Sequence, residues 1–208
     1  MRGRFITLEG GEGAGKSTQI RLLAAALESM GKPVIVTREP GGSPGAEAIR
    51  ALLVTGDTDR WDARTEALLH SAARRDHLVK KVWPALESGQ WVLCDRFADS
   101  TIAYQGYGHG LPIDELEQLT ALTVGDFAPD LTLILDLPVE AGLARAGGRG
   151  GAEDRYERMG LDFHRRLRQG FLDIAARHAE RCAIIDAGQG PEWVHQAIMA
   201  VVSQRLAP

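Results

Sequence analysis

A glycine-rich segment near the start of the chain has the residue types and spacing that bind a triphosphate. Residues 10–17 read GGEGAGKS and fit the pattern G-x-x-x-x-G-K-[ST], between an apolar run and a helical pattern. Glycines let consecutive backbone N–H groups curl around an anion, and the following helix points its positive end at the same anion. Lys16 is expected to reach the β- and γ-phosphates, and the Ser17 hydroxyl to ligate Mg²⁺. The segment predicts a nucleoside triphosphate site made of Gly10, Gly11, Glu12, Gly13, Ala14, Gly15, Lys16, Ser17 and Thr18.

Charged side chains also follow two other apolar runs. Arg38 comes directly after residues 33–37, and Asp95 and Arg96 come directly after residues 91–94. The planar fork of arginine binds phosphate oxygens in pairs, so both arginines are candidates for holding an acceptor phosphate. Asp95 stands where a carboxylate would hold a Mg²⁺-bound water.

The elements that must position these residues alternate along the chain. Buried strands are predicted at residues 5–8, 33–37, 91–94, 131–137 and 182–185. Helices are predicted from residue 18, at 45–54, 62–88, 100–104, 112–124, 139–146, 154–180 and 191–205, with a glycine-rich loop from 105 to 110. Strands that are apolar throughout and alternate with helices indicate a parallel, doubly wound α/β sheet.

Composition limits the remaining possibilities. The 208 residues are 44% hydrophobic and contain no Pro/Ser-rich linker, which predicts a single domain over residues 1–208. A net charge of −4 argues against nucleic acid as a partner. We find no apolar run of membrane-spanning length and no signal peptide, and Cys94 and Cys182 lie in apolar stretches. The expectation is a soluble cytoplasmic protein with buried thiols.

A phosphate loop alone is compatible with a switch GTPase, an ATP-driven motor or a small-molecule kinase. The GTPase hypothesis requires an Asn-Lys-x-Asp segment, and the chain contains neither asparagine nor Asp-x-x-Gly. A motor normally carries further domains, for which 208 residues leave little room. A kinase therefore fits best.

Several blocks of the sequence resemble bacterial thymidylate kinases. They are FITLEGGEGAGKST at residues 5–18, REPGG at 38–42, DR at 95–96 with YQG at 104–106, PDLTLILD at 129–136 and DRYE at 154–157. The resemblance implies phosphoryl transfer from ATP to dTMP, a P-loop nucleoside monophosphate kinase fold with a five-stranded parallel sheet flanked by helices, and a homodimer. It also implies a short lid at about residues 146–155 and a catalytic arginine in that lid.

The same resemblance implies roles for individual residues. Arg38 and Arg96 are expected to hold the dTMP phosphate, and Glu12 to contact the 3′-hydroxyl. Tyr104 is expected to exclude a 2′-hydroxyl, while Thr101 and Arg74 bond the thymine edge beside Gln105. Pro40, Ser100 and Glu9 complete the dTMP site, with Glu9 ordering metal-bound water. The catalytic residues are expected to be Lys16, Arg96, Glu12 and Arg149, of which Arg149 also binds ATP, and the metal residues Ser17 and Asp95.

The sequence departs from the family pattern at two places. His70 stands where the family usually stacks a phenylalanine on thymine, and a neutral imidazole has a smaller apolar face for that purpose. Arg149 stands five residues before Asp154, whereas we expect a spacing of four in close relatives. Two alternatives remain open, a kinase for another nucleotide or nucleoside and a nucleotide-binding regulatory module without transfer activity.

Overall fold

Five parallel strands form one sheet in the computed structural model, which describes residues 2–147 and 155–207. They are β1 (Phe5–Glu9), β2 (Val34–Arg38), β3 (Trp91–Asp95), β4 (Leu131–Asp136) and β5 (Cys182–Asp186), in the order β2-β3-β1-β4-β5. The strand order changes direction beside β1, and open α/β sheets bind their ligands at such a point. The predicted five-stranded parallel sheet is confirmed.

Helices connect the strands. They are α1 (Lys16–Ser29), α2 (Pro44–Val54), α3 (Ala63–His77), α4 (Trp83–Glu87), α5 (Ala98–Thr101), α6 (Ile113–Val124), α7 (Val139–Gly147), α8 (Leu161–Arg177) and α9 (Pro191–Leu206). Two π-helical segments, Leu78–Val82 and Ile102–Gly108, continue α3 and α5.

Apolar side chains cover both faces of the sheet. On β4, Leu133 and Leu135 pack with Leu23 of α1 and Ile198 of α9. Ile134 points the other way, into a cluster formed with α8 and the second π-helical segment. Alternation along a strand therefore buries apolar residues on each face, which explains the uninterrupted apolar runs in the sequence.

Three helix predictions need correction. The helix predicted at residues 62–88 passes through a π-helical segment, and Pro84 lies in the first turn of α4. The loop predicted after residue 104 is helical as far as Gly108, and a side chain at Gly106 or Gly108 would collide with Ile113 or Phe163. These glycines allow close packing, whereas the sequence alone suggests a flexible loop.

The third correction concerns the helix predicted from residue 154, since α8 begins only at Leu161 and ends at Arg177. Residues 155–158 form a turn instead. Both cysteines are buried and unpaired, as predicted. Among the described residues, no helix combines the length and apolar character needed to cross a membrane.

Candidate active site

The loop between β1 and α1 has the conformation that its glycines permit. Gly10, Gly13 and Gly15 all have positive φ angles, of 130°, 68° and 93°. A Cβ at Gly13 would also collide with the backbone carbonyl of Gly142 in α7. This position therefore has no room for a side chain, and a catalytic cation cannot come from it.

Lys16 lies in the first turn of α1, with its side chain folded over the loop. Its Nζ donates to the carbonyl oxygens of Gly10 at 3.0 Å and Gly11 at 2.9 Å. Burial, together with the nearby Arg96 cation, lowers the pKa of Lys16 to about 8. Thr18 follows on the same helix, and its N–H donates to the Gly15 carbonyl at 3.1 Å.

An open cleft of about 240 Å³, here called the outer cleft, lies along this loop. Ser17 Oγ faces it and donates to Asp95 Oδ2 at 3.3 Å, because β3 lies next to β1 and ends beside the loop. The outer cleft is lined by Glu12, Gly13, Ala14, Gly15, Lys16, Ser17, Arg38, Glu39, Arg50, Asp95 and Arg96.

A second cavity of about 120 Å³, here called the inner cavity, shares a wall with the outer cleft. Both are lined by Glu12, Glu39, Arg50 and Arg96. The other lining residues of the inner cavity are Pro40, Val54, His70, Arg74, Phe97, Ser100, Thr101, Tyr104, Gln105, Tyr156 and Glu157. Nine of the eleven predicted dTMP residues thus line this cavity, Glu12 and Arg96 on the shared wall and seven elsewhere: Pro40, His70, Arg74, Ser100, Thr101, Tyr104 and Gln105.

Arg96 stands at the wall between the two spaces, held in one orientation. Its φ of 70° turns the chain sharply after β3. Nη1 donates to the Gly10 carbonyl at 3.0 Å, and Nη2 donates to Glu12 Oε1 at 3.0 Å. The same carboxylate oxygen accepts the Tyr104 hydroxyl at 2.5 Å, and the Arg96 guanidinium lies 4.9 Å from the Tyr104 ring centre.

Glu12 is ionised in this arrangement. Burial alone would raise its pKa, but the Arg96 and Lys16 cations and the Tyr104 hydroxyl lower it to about 2. The wall thus carries a fixed carboxylate and a fixed guanidinium side by side.

Arg74 presents a donor to the inner cavity from α3. Its Nε donates to Glu39 Oε2 at 2.8 Å, and its Nη2 donates to the Phe97 carbonyl and to Thr101 Oγ1, both at 3.0 Å. Nη1 is buried and has no hydrogen-bond partner among the described residues. An unsatisfied buried donor is costly, so this atom is suited to a ligand acceptor.

Gln105 presents the complementary atom. Its Nε2 donates to Glu66 Oε1 at 2.6 Å, whereas its Oε1 is buried without a partner in the described part of the chain. The inner cavity therefore offers one unsatisfied donor, on Arg74, and one unsatisfied acceptor, on Gln105.

His70 lies at the same cavity and is bonded to Tyr156. Its Nε2 is 2.9 Å from the Tyr156 hydroxyl, and burial lowers the pKa of His70 to about 4. The imidazole is therefore neutral at physiological pH. Tyr156 in turn packs edge-on against Tyr104, with ring centres 5.3 Å apart.

Two predicted residues lie outside the inner cavity. Arg38 lines the outer cleft, is half-exposed and pairs with Glu47 at 3.1 Å. Glu9 is fully buried, where its oxygens accept from the Phe97 N–H at 2.7 Å and the Ser100 hydroxyl at 2.6 Å. Both oxygens of Glu9 thus have donors within the protein, and the expectation that it orders metal-bound water stays a prediction. Burial and the nearby Asp99 raise the pKa of Glu9 to about 7.

The lid candidates differ in their surroundings. Arg149 lies outside the described residues. Arg145 donates to the Ala187 carbonyl at 3.2 Å. Arg155 is fully buried and bonds Glu66 and the backbone carbonyls of the α2–α3 connection, so its guanidinium does not face either site.

Sequence reasoning missed six residues that line the inner cavity: Glu39, Arg50, Val54, Phe97, Tyr156 and Glu157. Arg50 lines both spaces from α2 and donates to the Pro40 carbonyl at 2.8 Å. It lies on a helix without any distinguishing pattern. Glu39 belongs to REPGG and Tyr156 to DRYE, so both blocks contained a signal that was not assigned a role.

Comparisons with known proteins agree on one family. A family model described as thymidylate kinase matches residues 8–198. The chain is 58% identical to a thymidylate kinase of Caulobacter vibrioides, covering 99% of this chain and 98% of the relative. It is 57% identical to that of Rhodopseudomonas palustris (strain TIE-1), covering 99% and 91%. The crystal structure of thymidylate kinase from Ehrlichia chaffeensis matches with a TM-score of 0.78 at 36% identity, over 97% of this chain and 99% of that one.

Proposed function

The chain belongs to the thymidylate kinase family, and on that premise we propose how its residues carry out the family reaction. It is an ATP-dependent kinase that phosphorylates dTMP to dTDP, on the P-loop nucleoside monophosphate kinase fold. Neither a kinase for another nucleotide nor an inactive regulatory module has support from the similarities. The residue roles below are our proposal.

The assignment of the ATP and dTMP sites rests on the wall shared by the outer cleft and the inner cavity. Glu12 and Arg96 line both spaces. We place the triphosphate of ATP in the outer cleft and dTMP in the inner cavity, so that donor and acceptor phosphates meet at this wall. Phosphoryl transfer requires mainly such alignment together with charge neutralisation.

On the donor side, Lys16 neutralises the β- and γ-phosphates. In the structure its ammonium is satisfied by the Gly10 and Gly11 carbonyls, 3.0 and 2.9 Å away. Phosphate oxygens would replace these neutral acceptors, and charge-assisted hydrogen bonds are about twice as strong as neutral ones.

The residues of the outer cleft fit Mg²⁺. Ser17 and Asp95 present oxygen atoms 3.3 Å apart, and oxygen is the ligand that Mg²⁺ prefers. Within residues 2–147 and 155–207, no group of three or more His, Cys, Asp or Glu side chains could hold a metal alone. That suits an ion that keeps waters and phosphate oxygens as ligands, with Ser17 as a direct ligand and Asp95 holding a bound water. Bound Mg²⁺ would neutralise charge on the ATP phosphates.

On the acceptor side, Arg96 holds the dTMP phosphate with its fixed guanidinium. Arg50 reaches the same wall from α2. Arg38 is the weaker contact, because it is half-exposed and already paired with Glu47. The Glu12 carboxylate accepts the sugar 3′-hydroxyl, and Tyr104, fixed by its bond to Glu12, occupies the space of a 2′-hydroxyl.

The two unsatisfied atoms of the inner cavity match thymine. Thymine presents an acceptor, O4, next to a donor, N3–H. Arg74 Nη1 supplies a donor for O4 and Gln105 Oε1 an acceptor for N3–H, and both atoms lack partners in the described residues. His70 stacks on the ring as a neutral imidazole, oriented by Tyr156.

The transferring group needs a further cation, for which we propose Arg149. Gly13 offers no side chain, and its contact with the Gly142 carbonyl leaves no space for one. Arg155 is an anchor, since its guanidinium is fully buried and bonded to Glu66 and three backbone carbonyls. Arg149 and the rest of residues 148–154 are flanked by this anchor and by α7.

We also propose that residues 1–208 act as a single cytoplasmic domain and form a homodimer. Helices α2, α3 and α6 pack side by side and expose Leu52, Leu68 and Leu122, at 39%, 53% and 84% exposure. Exposed apolar surface of this kind is typical of an interface. Light scattering should give twice the chain mass of 22.5 kDa, and Leu68→Glu should shift it towards that of one chain.

Calorimetric titrations of two variants test the division into two sites. Lys16→Met should weaken binding of ADP with Mg²⁺ and leave the dTMP dissociation constant within about twofold. Gln105→Leu should weaken dTMP about tenfold, the effect of one hydrogen bond, and leave ADP unchanged. If Gln105→Leu weakens ADP instead, or leaves dTMP unchanged, the proposed base contact is wrong.

A further inference from the structure

A buried carboxylate lies directly behind Gln105. Glu66 on α3 is fully buried, and its Oε1 accepts from Gln105 Nε2 at 2.6 Å. Its Oε2 accepts from Arg155 Nη1 at 2.5 Å, and His109 Nε2 lies 3.5 Å from Oε1. Glu66 itself does not line the inner cavity. It therefore acts on a ligand there only through its neighbours.

Glu66 is ionised. Burial would raise its pKa, but His109 and Arg155 outweigh burial and lower the pKa to about 2. An ionised carboxylate can only accept hydrogen bonds, whereas a glutamine amide has one end that donates and one that accepts. The charge on Glu66 therefore determines which end of Gln105 faces it.

The orientation of the Gln105 amide determines which of its atoms faces a ligand in the inner cavity. Because the NH₂ group of Gln105 is bonded to Glu66, its carbonyl oxygen is the atom left for a ligand, and it is buried without a partner in the described part of the chain. If the amide flipped, its NH₂ group would meet the ligand and its carbonyl oxygen would face a carboxylate. Two acceptors cannot bond, so this flip is opposed.

We propose that Glu66 is a positioning residue that contributes to base selection by fixing the orientation of the Gln105 amide. The proposal rests on the contact between Gln105 and thymine N3–H proposed above. Cytosine carries an acceptor at N3 in place of the N3–H donor of thymine. A carbonyl held towards N3 therefore accepts from thymine and repels cytosine. Glu66 opposes dCMP without touching it.

The test is Glu66→Gln, read as the ratio of kcat/KM for dTMP to kcat/KM for dCMP. A glutamine at position 66 can donate as well as accept, so the Gln105 amide can adopt either orientation. The ratio should fall at least about tenfold, the effect of one matched hydrogen bond. A merely structural role would lower both activities together and leave the ratio unchanged.

Two matched variants separate the orientation effect from damage to the fold. Glu66→Asp keeps an acceptor-only group and should keep the wild-type ratio within about threefold. Arg155→Lys keeps a cation at the other carboxylate oxygen but loses the bonds to the Leu53, Asp57 and Thr58 carbonyls, and should also keep the ratio. A loss of selectivity in Arg155→Lys equal to that in Glu66→Gln would overturn the proposal.

Glu66→Gln leaves the Arg155 cation buried without its carboxylate, which threatens folding. The double variant E66Q/R155Q removes both charges and should show the same fall in the ratio. Gln105→Leu tests the contact between Gln105 and the base separately from the role of Glu66. If Gln105→Leu weakens dTMP while E66Q and E66Q/R155Q keep the wild-type ratio, the Glu66 proposal alone fails. If Gln105→Leu leaves dTMP unchanged, the base contact beneath it fails.

Discussion

Replacing Arg96 by lysine tests whether this residue clamps the acceptor phosphate. The substitution keeps the positive charge and puts no additional strain on the backbone, because arginine and lysine have the same cost at the observed φ of 70°. It removes the planar fork. Lysine cannot bond the Gly10 carbonyl and the Glu12 carboxylate in the geometry that Arg96 adopts at 3.0 Å to each.

The expected magnitude follows from the number of hydrogen bonds lost. Lysine retains one contact with the phosphate and loses the second contact of the fork, and a hydrogen bond to a charged group contributes about 1.5–3 kcal/mol. This corresponds to a fall of roughly 10- to 150-fold in kcat/KM for dTMP. Most of this fall in kcat/KM should be observed, because the Arg96 side chain is only 16% exposed and solvent screens its charge little.

Arg38→Lys is the matched control. The Arg38 side chain is 51% exposed and its partner Glu47 is 43% exposed, and exposed ion pairs contribute about 0–1 kcal/mol. Arg38→Lys should therefore lower kcat/KM for dTMP by about fivefold or less. Both variants should keep KM for ATP within about threefold, measured by ADP release at varied dTMP and varied ATP. A larger loss in Arg38→Lys than in Arg96→Lys would refute the placement of the acceptor phosphate.

Four further predictions concern Lys16, Arg149 and His70. Lys16→Met should lower turnover by about 10² or more while the circular dichroism spectrum stays unchanged, and turnover within about threefold of wild type would contradict the phosphate-loop assignment. Arg149→Ala should lower kcat by at least about 10² with little change in the dTMP dissociation constant, and a normal kcat would remove it as the catalytic cation. His70→Phe should leave KM for dTMP equal or lower, because phenylalanine stacks at least as well. Burial lowers the pKa of His70 from 6.5 to about 4, so the unfolded chain binds more protons than the folded chain between these pH values. The contribution of the neutral imidazole to stability is therefore lost as the pH falls through this interval. Thermal melts should show wild type losing stability relative to His70→Phe below about pH 6.5, and parallel curves would contradict the burial of a neutral imidazole.

The sequence was sufficient to predict the sheet and the phosphate loop because both depend on local patterns. Each strand is apolar on two faces, and the loop pattern requires a strand before it and a helix after it. The strands observed begin and end within one residue of the prediction.

Glu9 could have been placed by the same reasoning. Phe5 and Thr7 precede it at intervals of two and face away from the α1–α9 layer, towards the layer that holds Phe97. Glu9 continues this alternation and so meets Ser100 instead of the outer cleft. The direction of this side chain could therefore have been predicted from the strand pattern alone.

Arg155 could not be placed from the sequence. Its carboxylate partner, Glu66, is 89 positions away, and its other partners are backbone carbonyls of residues 53–58. Such contacts leave no local pattern. Residues 155–158 form a turn, and the Arg155 side chain is fully buried.

Measuring ADP release with ATP and Mg²⁺ against every common nucleoside monophosphate tests the central claim most directly. The donor on Arg74 and the acceptor on Gln105 favour thymine, and Tyr104 opposes ribose. We predict the highest kcat/KM with dTMP, a lower value with dUMP and poor activity with ribonucleotides. Faster phosphorylation of CMP or AMP than of dTMP would contradict the assignment of the inner cavity, and no ADP release with any acceptor would indicate a binding module without transfer activity.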